Sequence, residues 1–188
     1  MKAQKTAMRK AARAIRDAIP ESERSGAAER AAATGLDFLG LPPAVVAGYF
    51  PVRGEFDCVA LLGRLAAEGW RTALPAVAAS GPLTFHAWAP GAPLKEGRFR
   101  IPEPVKAPSL TPAVLLVPLL AFDARGYRLG YGRGDYDRTL SLLRGCGDVI
   151  AIGLAFDAQE VAEVPSDKHD EKLDWMLTPS GARRCVGG

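Results

Sequence analysis

Apolar residues fall along this chain in two alternating patterns. Runs recurring at i, i+3, i+4 are interleaved with short continuous apolar blocks, which predicts helices alternating with buried strands. Helical spacing covers 2–19, where Met8, Ala11, Ala12, Ile15 and Ile19 make an apolar stripe. It resumes over about 21–39 and stops at Gly40-Leu41-Pro42-Pro43. Residues 45–50 read as a buried strand. This turns through Pro51, Val52, Arg53, Gly54, Glu55, Phe56 and Asp57 into a helix over about 56–68. Further strands are expected at 71–77 and 83–88. Residues 89–112 hold six prolines and two glycines and read as an ordered surface connection. The blocks 113–120 and 149–156 are continuously apolar, as in strands covered on both faces of a parallel sheet, and a short last strand is expected at about 175–177. The pattern predicts an α/β fold in one domain over 1–188, with a mainly parallel sheet and helices on both faces.

Between the block at 113–120 and helical spacing from Tyr136 lie Gly126, Gly130, Gly132 and Gly134, with Arg125, Arg128, Arg133 and Arg138 interleaved. Glycines let backbone N–H groups approach a ligand closely, and a following helix N-terminus adds unpaired donors and positive potential. A strand, a basic glycine loop and a helix start together describe a phosphate or polyanion site; structural turn glycines are the bland alternative. The loop is neither a Walker A sequence nor the dinucleotide fingerprint. Asp137 beside such a loop suits Mg²⁺, with Asp170 as a second carboxylate if the fold brings them together. Glu55 is either a dipole-complementing acid or a carboxylate at the strand edge where open sheets place ligands.

Charge adds a second feature. Lys2, Lys5, Arg9, Arg13 and Arg16 form a basic stripe along the first helix, with no acid before Asp17. A solvated face is the bland reading, while Lys5 and Arg9 at i, i+4 can converge on phosphate oxygens. The net charge of +3 suits an anionic small ligand better than nucleic acid. The three cysteines lack CxxC spacing, which favours free thiols in a reducing compartment. No stretch approaches a membrane span and no secretory core opens the chain, so a cytoplasmic protein, expected as a monomer, is the default.

Several ordered motifs together resemble the 5-formyltetrahydrofolate cyclo-ligase family. They are Lys5-Thr6-Ala7-Met8-Arg9, the stretch from Tyr49 through Phe50 and Glu55 to Asp57, Ile101-Pro102-Glu103-Pro104, Val117 to Asp123 followed by Arg128 to Arg138, and Gly153, Gln159, Pro165, His169-Asp170 and Thr178. The resemblance implies a three-layer α/β/α sandwich and an enzyme that uses ATP as co-substrate and Mg²⁺ as cofactor. Its small-molecule partners would be 5-formyltetrahydrofolate and ATP, with no nucleic acid and no membrane. By family position Lys5, Arg9 and the loop Arg128, Leu129, Gly130, Tyr131, Gly132, Arg133, Gly134, Asp135 and Tyr136 would hold ATP. Phe50, Glu55, Tyr131, Arg133 and Asp135 would contact the folate, Arg133 and Tyr136 would act in catalysis, and Asp137 and Asp170 would hold the metal. Where the family has Gly-Tyr-Tyr-Asp or close to it, this chain has Gly134-Asp135-Tyr136-Asp137. A relative that binds nucleotide or folate without turnover, and a nucleic-acid binder using the basic stripe, are the alternative readings.

Overall fold

The apolar blocks assemble side by side. The computed structural model describes residues 1–186, and among them an eight-stranded sheet forms the centre of the molecule. The helices are α1 (Lys2–Asp17), α2 (Glu21–Thr34), α3 (Val59–Ala67) and α4 (Asp135–Cys146). In chain order the strands begin with β1 (Val45–Ala47), β2 (Arg71–Ala76) and β3 (Thr84–Ala87). β4 (Leu94–Glu96), β5 (Pro102–Pro104), β6 (Ser109–Leu110), β7 (Val114–Pro118), β8 (Ala121–Phe122) and β9 (Arg128–Leu129) follow. The last three are β10 (Ile150–Leu154), β11 (Trp175–Thr178) and β12 (Gly181–Arg184).

The sheet order is β12-β11-β10-β7-β1-β2-β3-β6. Its centre is parallel: β7 lies between β10 and β1, with Val114 opposite both Ile150 and Val46. Antiparallel pairs close both sides, β11–β12 on one and β2–β3 and β3–β6 on the other. Successive residues of the central strands point to opposite faces, and both faces are covered. Val46, Val114, Leu116, Ile152 and Leu154 pack with Leu61, Leu62 and Leu65 of α3 and Ala27 and Ala31 of α2. Ala47, Leu115, Val117 and Ala151 pack on the other side with Leu140 of α4. Three layers result, α/β/α, which is why the strand blocks carry no polar alternation.

From the sheet centre the chain leaves β1 toward β2, but leaves β7 toward β10 and β11 on the other side. Segments leaving the C-terminal ends of β1 and β7 therefore diverge and open a crevice between them, the usual ligand position in an open α/β sheet.

Several boundaries differ from the pattern-based expectation. The second helix ends at Thr34, where Gly35 takes φ 63°, and Asp37–Leu39 is a separate 3-10 turn. The connection over 89–112 contains the β4–β5 hairpin and edge strand β6. A small β8–β9 hairpin is inserted between β7 and the glycine loop, and β12 follows the expected last strand. These pieces are only a few residues long, below the length at which periodicity is readable. The inward face of α1 also differs. Ala11 and Ile15 are exposed, while Lys5, Met8, Arg9, Ala12 and Arg16 turn toward the protein.

Candidate active site

The crevice holds a cavity of about 330 Å³. Its walls come from α1, the turn after β1, the glycine loop after β9 and the 89–112 connection, with Pro75, Val77, Leu83, Pro118 and Asp170 completing them. Every residue singled out from the sequence as a ligand contact lies on it: Lys5, Arg9, Phe50, Glu55, the whole of 128–136, and the carboxylates Asp137 and Asp170.

The α1 wall is built from i, i+4 spacing. Lys5 Nζ reaches Asp170 at 2.6 Å and Asp167 at 3.3 Å. Burial pulls the Lys5 pKa down, but bonds to these two carboxylates outweigh it and leave it above its ordinary value. One turn later, Arg9 Nε donates to the Gly130 carbonyl at 2.9 Å. A Cβ on Gly132, where φ is +96°, would lie 3.1 Å from the Arg9 guanidinium carbon. Glycine is required there twice over, by conformation and by the close approach of Arg9.

The glycine loop ends at Gly134, whose φ of 69° starts α4 without a side-chain cap. The donors of the first turn are therefore left for a ligand or water. Asp135 stands at this turn with two arginines: Arg133 Nε at 2.7 Å and Arg138 Nη2 at 2.6 Å. The Asp135 carboxylate is thus neutralised by its neighbours. Arg133 also lies over the Phe99 ring, 3.6 Å from its centroid. Tyr136 is buried enough that its hydroxyl pKa is pushed well above the ordinary value, so it stays protonated and can donate.

The turn after β1 is fixed by reciprocal bonds. Val52 N–H donates to Glu55 Oε2 at 3.0 Å, and Glu55 N–H donates to the Val52 carbonyl at 3.1 Å. Below it, the Tyr49 hydroxyl donates to the Phe56 carbonyl at 2.7 Å. Burial raises the Glu55 pKa, opposed by the Val52 N–H and by the positive charge of Arg16. Apolar contact surface comes from Phe50, Val77, Leu83, Pro118 and Ile101.

Asp137 accepts from Arg128 Nη2 at 2.7 Å and from Glu171 N–H at 3.1 Å. Arg128 also donates to the Glu171 carbonyl. Burial lowers the Arg128 pKa and Asp137 opposes the fall. Asp137 and Asp170 reach the same cavity from neighbouring segments, and the described residues contain no group of three or more His, Cys, Asp or Glu side chains able to hold a metal. Asp137 and Asp170 are ligands of the type Mg²⁺ takes, with water and substrate phosphates completing its shell, and each is paired here with a cation, Arg128 and Lys5.

Some residues at or behind the cavity were not legible as site residues in the sequence. Phe99 and Ile101 lie in the proline-rich connection, where no periodicity marks them. Phe99 has a φ of 57° and stands half exposed at the cavity. Asp167 bonds Lys5 and signalled itself only by nearness to Asp170. Arg16 belonged to the basic stripe, and its spacing of seven from Arg9 was the available signal.

The fold and this cavity define an open-sheet α/β protein with a two-part site: cationic and glycine-rich on one side, apolar with a half-buried carboxylate on the other. The model of the 5-formyltetrahydrofolate cyclo-ligase family matches residues 1–179. The chain belongs to that family. It is 37% identical over 189 residues to the 5-formyltetrahydrofolate cyclo-ligase of Mycolicibacterium smegmatis, with 93% of each chain covered. Against the Escherichia coli protein of that name the identity is 35% over 150 residues, covering 74% of this chain and 82% of the other. Among solved structures, Aquifex aeolicus 5,10-methenyltetrahydrofolate synthetase superposes with a TM-score of 0.77 at 30% identity, covering 98% of this chain and 94% of that one. The Mycoplasma pneumoniae synthetase shares the fold with a TM-score of 0.76 at 24% identity, covering 93% of this chain and 98% of that one.

Proposed function

We propose that this protein cyclises 5-formyltetrahydrofolate to 5,10-methenyltetrahydrofolate with conversion of ATP to ADP and phosphate. The observation that carries the reading is the meeting, in one cavity, of Lys5 and Arg9 from α1, the glycine loop, and Glu55 beside apolar side chains. The formyl oxygen attacks the γ-phosphorus and the ADP oxygen leaves. N10 then attacks the activated formyl carbon and loses its proton to solvent, and the carbon–oxygen bond breaks to release phosphate as the ring closes. Such chemistry needs alignment and charge neutralisation rather than a protein nucleophile.

Lys5, Arg9 and the backbone donors of 130–136 bind the polyphosphate, and Arg133 neutralises charge that grows on the transferred group. Tyr136, held protonated, offers a hydrogen bond at the loop's end. Glu55 and Phe50 orient the folate, together with Tyr131 and the loop at Arg133 and Asp135. Asp137 and Asp170 would hold Mg²⁺, which neutralises charge on the bridging and terminal phosphate oxygens when bound. For the metal to enter, Asp170 would exchange its Lys5 partner, leaving the ammonium group for phosphate.

Purified protein with MgATP and 5-formyltetrahydrofolate should develop the methenyl absorbance with one ADP formed per product. Absence of both at any enzyme concentration overturns the reading. The alternative of a binding module without turnover loses its motive, because Asp135 is engaged by Arg133 and Arg138 and does not face a phosphate bare. Nucleic-acid binding is also disfavoured, since Lys5, Arg9 and Arg16 turn inward from the stripe. A cytoplasmic setting agrees with cysteines that are unpaired at 58, 146 and 185.

A further inference from the structure

Arg16 is the unusual residue of the basic stripe. It lies eleven positions after Lys5 and seven after Arg9, on the same inward face of α1. Unlike them it does not line the cavity: the residue is only 2% exposed. Its Nη1 donates to the Tyr131 hydroxyl at 2.7 Å, and its Nη2 donates to the Arg53 carbonyl. The carboxylate nearest the guanidinium, Asp17, is 3.5 Å away and largely exposed, and Arg16 Nε is buried without a partner. A guanidinium placed so deep with so few bonds is costly to stability. Helix docking alone does not require it, because an apolar residue at this position would bury more cheaply.

What Arg16 touches explains its retention. Tyr131 belongs to the glycine loop and Arg53 to the turn after β1, so one side chain joins both walls of the cavity from beneath. The Tyr131 hydroxyl interacts in turn with the Glu55 carboxyl group. The turn itself is conformationally unfavourable, with Arg53 at φ 54° and Gly54 at φ 76° in succession. A non-glycine residue in the left-handed region persists only where its surroundings hold it. The Arg16 bond to the Arg53 carbonyl is such a hold.

We propose that Arg16 is a positioning residue for the folate half of the site, fixing the Tyr131 hydroxyl and the 52–55 turn so that Glu55 presents its carboxylate to the ligand. The proposal rests on the reading of Glu55 as a folate contact. It predicts an asymmetric defect: folate binding depends on Arg16 and ATP binding does not, because Lys5 and Arg9 have their own anchors at Asp170 and Gly130. Ionised Glu55 accepts hydrogen bonds through both oxygens, whereas the neutral acid turns one of them into a donor. The titratable and charged groups around it are Arg16 from α1, Arg53 and Asp57 from its own turn, Tyr49 and Cys58 beside it, and Tyr131 and Tyr136 from the loop and α4. Arg16 opposes the effect of burial on Glu55, so removing its charge moves Glu55 ionisation to higher pH.

The test compares Arg16→Met, which keeps the apolar stem, with Arg16→Lys, which keeps charge but not the two-pronged head. In Arg16→Met the KM for 5-formyltetrahydrofolate should rise about tenfold, the loss expected for a charged hydrogen-bond donor. The KM for ATP should change by less than about twofold, and the acid limb of kcat/KM should move up in pH. Arg16→Lys should restore the pH limb but not the folate KM. Hydrogen exchange supplies a substrate-free readout: amides of 52–57 should exchange faster in Arg16→Met, with residues 5–12 and the phosphate-facing amides of 130–136 unchanged. An unaltered folate KM and acid limb would overturn the proposal, as would equal loss for both substrates with faster exchange along all of α1. Should Arg16→Met fail to fold, Tyr131→Phe removes the Nη1 acceptor conservatively, and an unchanged folate KM there overturns the proposal equally. A wild-type protein that makes no methenyl product would refute the proposed function instead, and the exchange pattern at 52–57 then decides the positioning role by itself.

Discussion

Asp137 carries two burdens that substitution can separate. Its Oδ1 sits 2.7 Å from Arg128 Nη2 and 3.1 Å from the Glu171 amide, and the Arg128 side chain is 5% exposed. Asp137→Ala leaves a nearly buried guanidinium with only the Glu171 carbonyl. Removing one partner of a buried ion pair costs roughly 3–5 kcal/mol, and about 3 kcal/mol is the better figure here because the carboxylate is itself partly solvated. For a chain of this size that lowers Tm by roughly 6–12 °C. Asp137→Asn keeps an acceptor for both bonds and loses only the charge, so its cost should be about 1–2 kcal/mol. Turnover should follow a different order. Both variants remain folded at 25 °C, and both should lose nearly all methenyl formation, because a neutral amide is a poor Mg²⁺ ligand. Thermal unfolding by circular dichroism and the methenyl absorbance assay measure the two quantities on the same samples. Wild-type turnover in Asp137→Asn would refute the metal role, and an unshifted Tm in Asp137→Ala would refute the ion-pair argument.

Gly132→Ala should raise the KM for ATP about tenfold or more, because a Cβ at φ +96° meets the Arg9 guanidinium and pushes it off the loop; equilibrium nucleotide binding checks this. Gly126→Ala should cost about 3 kcal/mol in urea denaturation without altering either KM, since its Cβ would lie 2.5 Å from the Leu173 carbonyl, away from the cavity. Burial holds the Glu55 pKa above its ordinary value, so protonation on acidification begins at a higher pH than for an exposed glutamate. Folate kcat/KM should therefore fall on the acid side in wild type, and Glu55→Gln should flatten that limb in a pH profile. Cys146→Ser should be silent in activity and Tm, as the thiol is exposed and unpaired, whereas Cys58 is buried with its thiol pushed up to about 12 and is inert to thiol reagents at neutral pH.

The sequence by itself determined the sheet and the chemistry of its walls. Continuous apolar blocks at 113–120 and 149–156 read as strands covered on both faces, and β7 and β10 are those strands. The glycine loop was legible because left-handed backbone demands glycine, and Gly132 and Gly134 take that conformation. The i, i+4 spacing of Lys5 and Arg9 put them on one face of α1, since helix geometry is local, and both line the cavity. Tertiary structure decided which face of α1 turns inward. Its buried line mixes Lys5, Arg9 and Arg16 with Met8 and Ala12, so hydrophobic periodicity pointed partly to the wrong stripe. Only chain crossing at the β1–β7 switch point brought Glu55 opposite the loop, and only long-range packing set Phe99 against Arg133. The same holds for Asp135. In sequence it is an acid in a phosphate-type loop, and its meaning changes once Arg133 and Arg138 are seen to close on it. Charge pairing depends on side-chain direction, which spacing along the chain does not encode beyond a turn of helix.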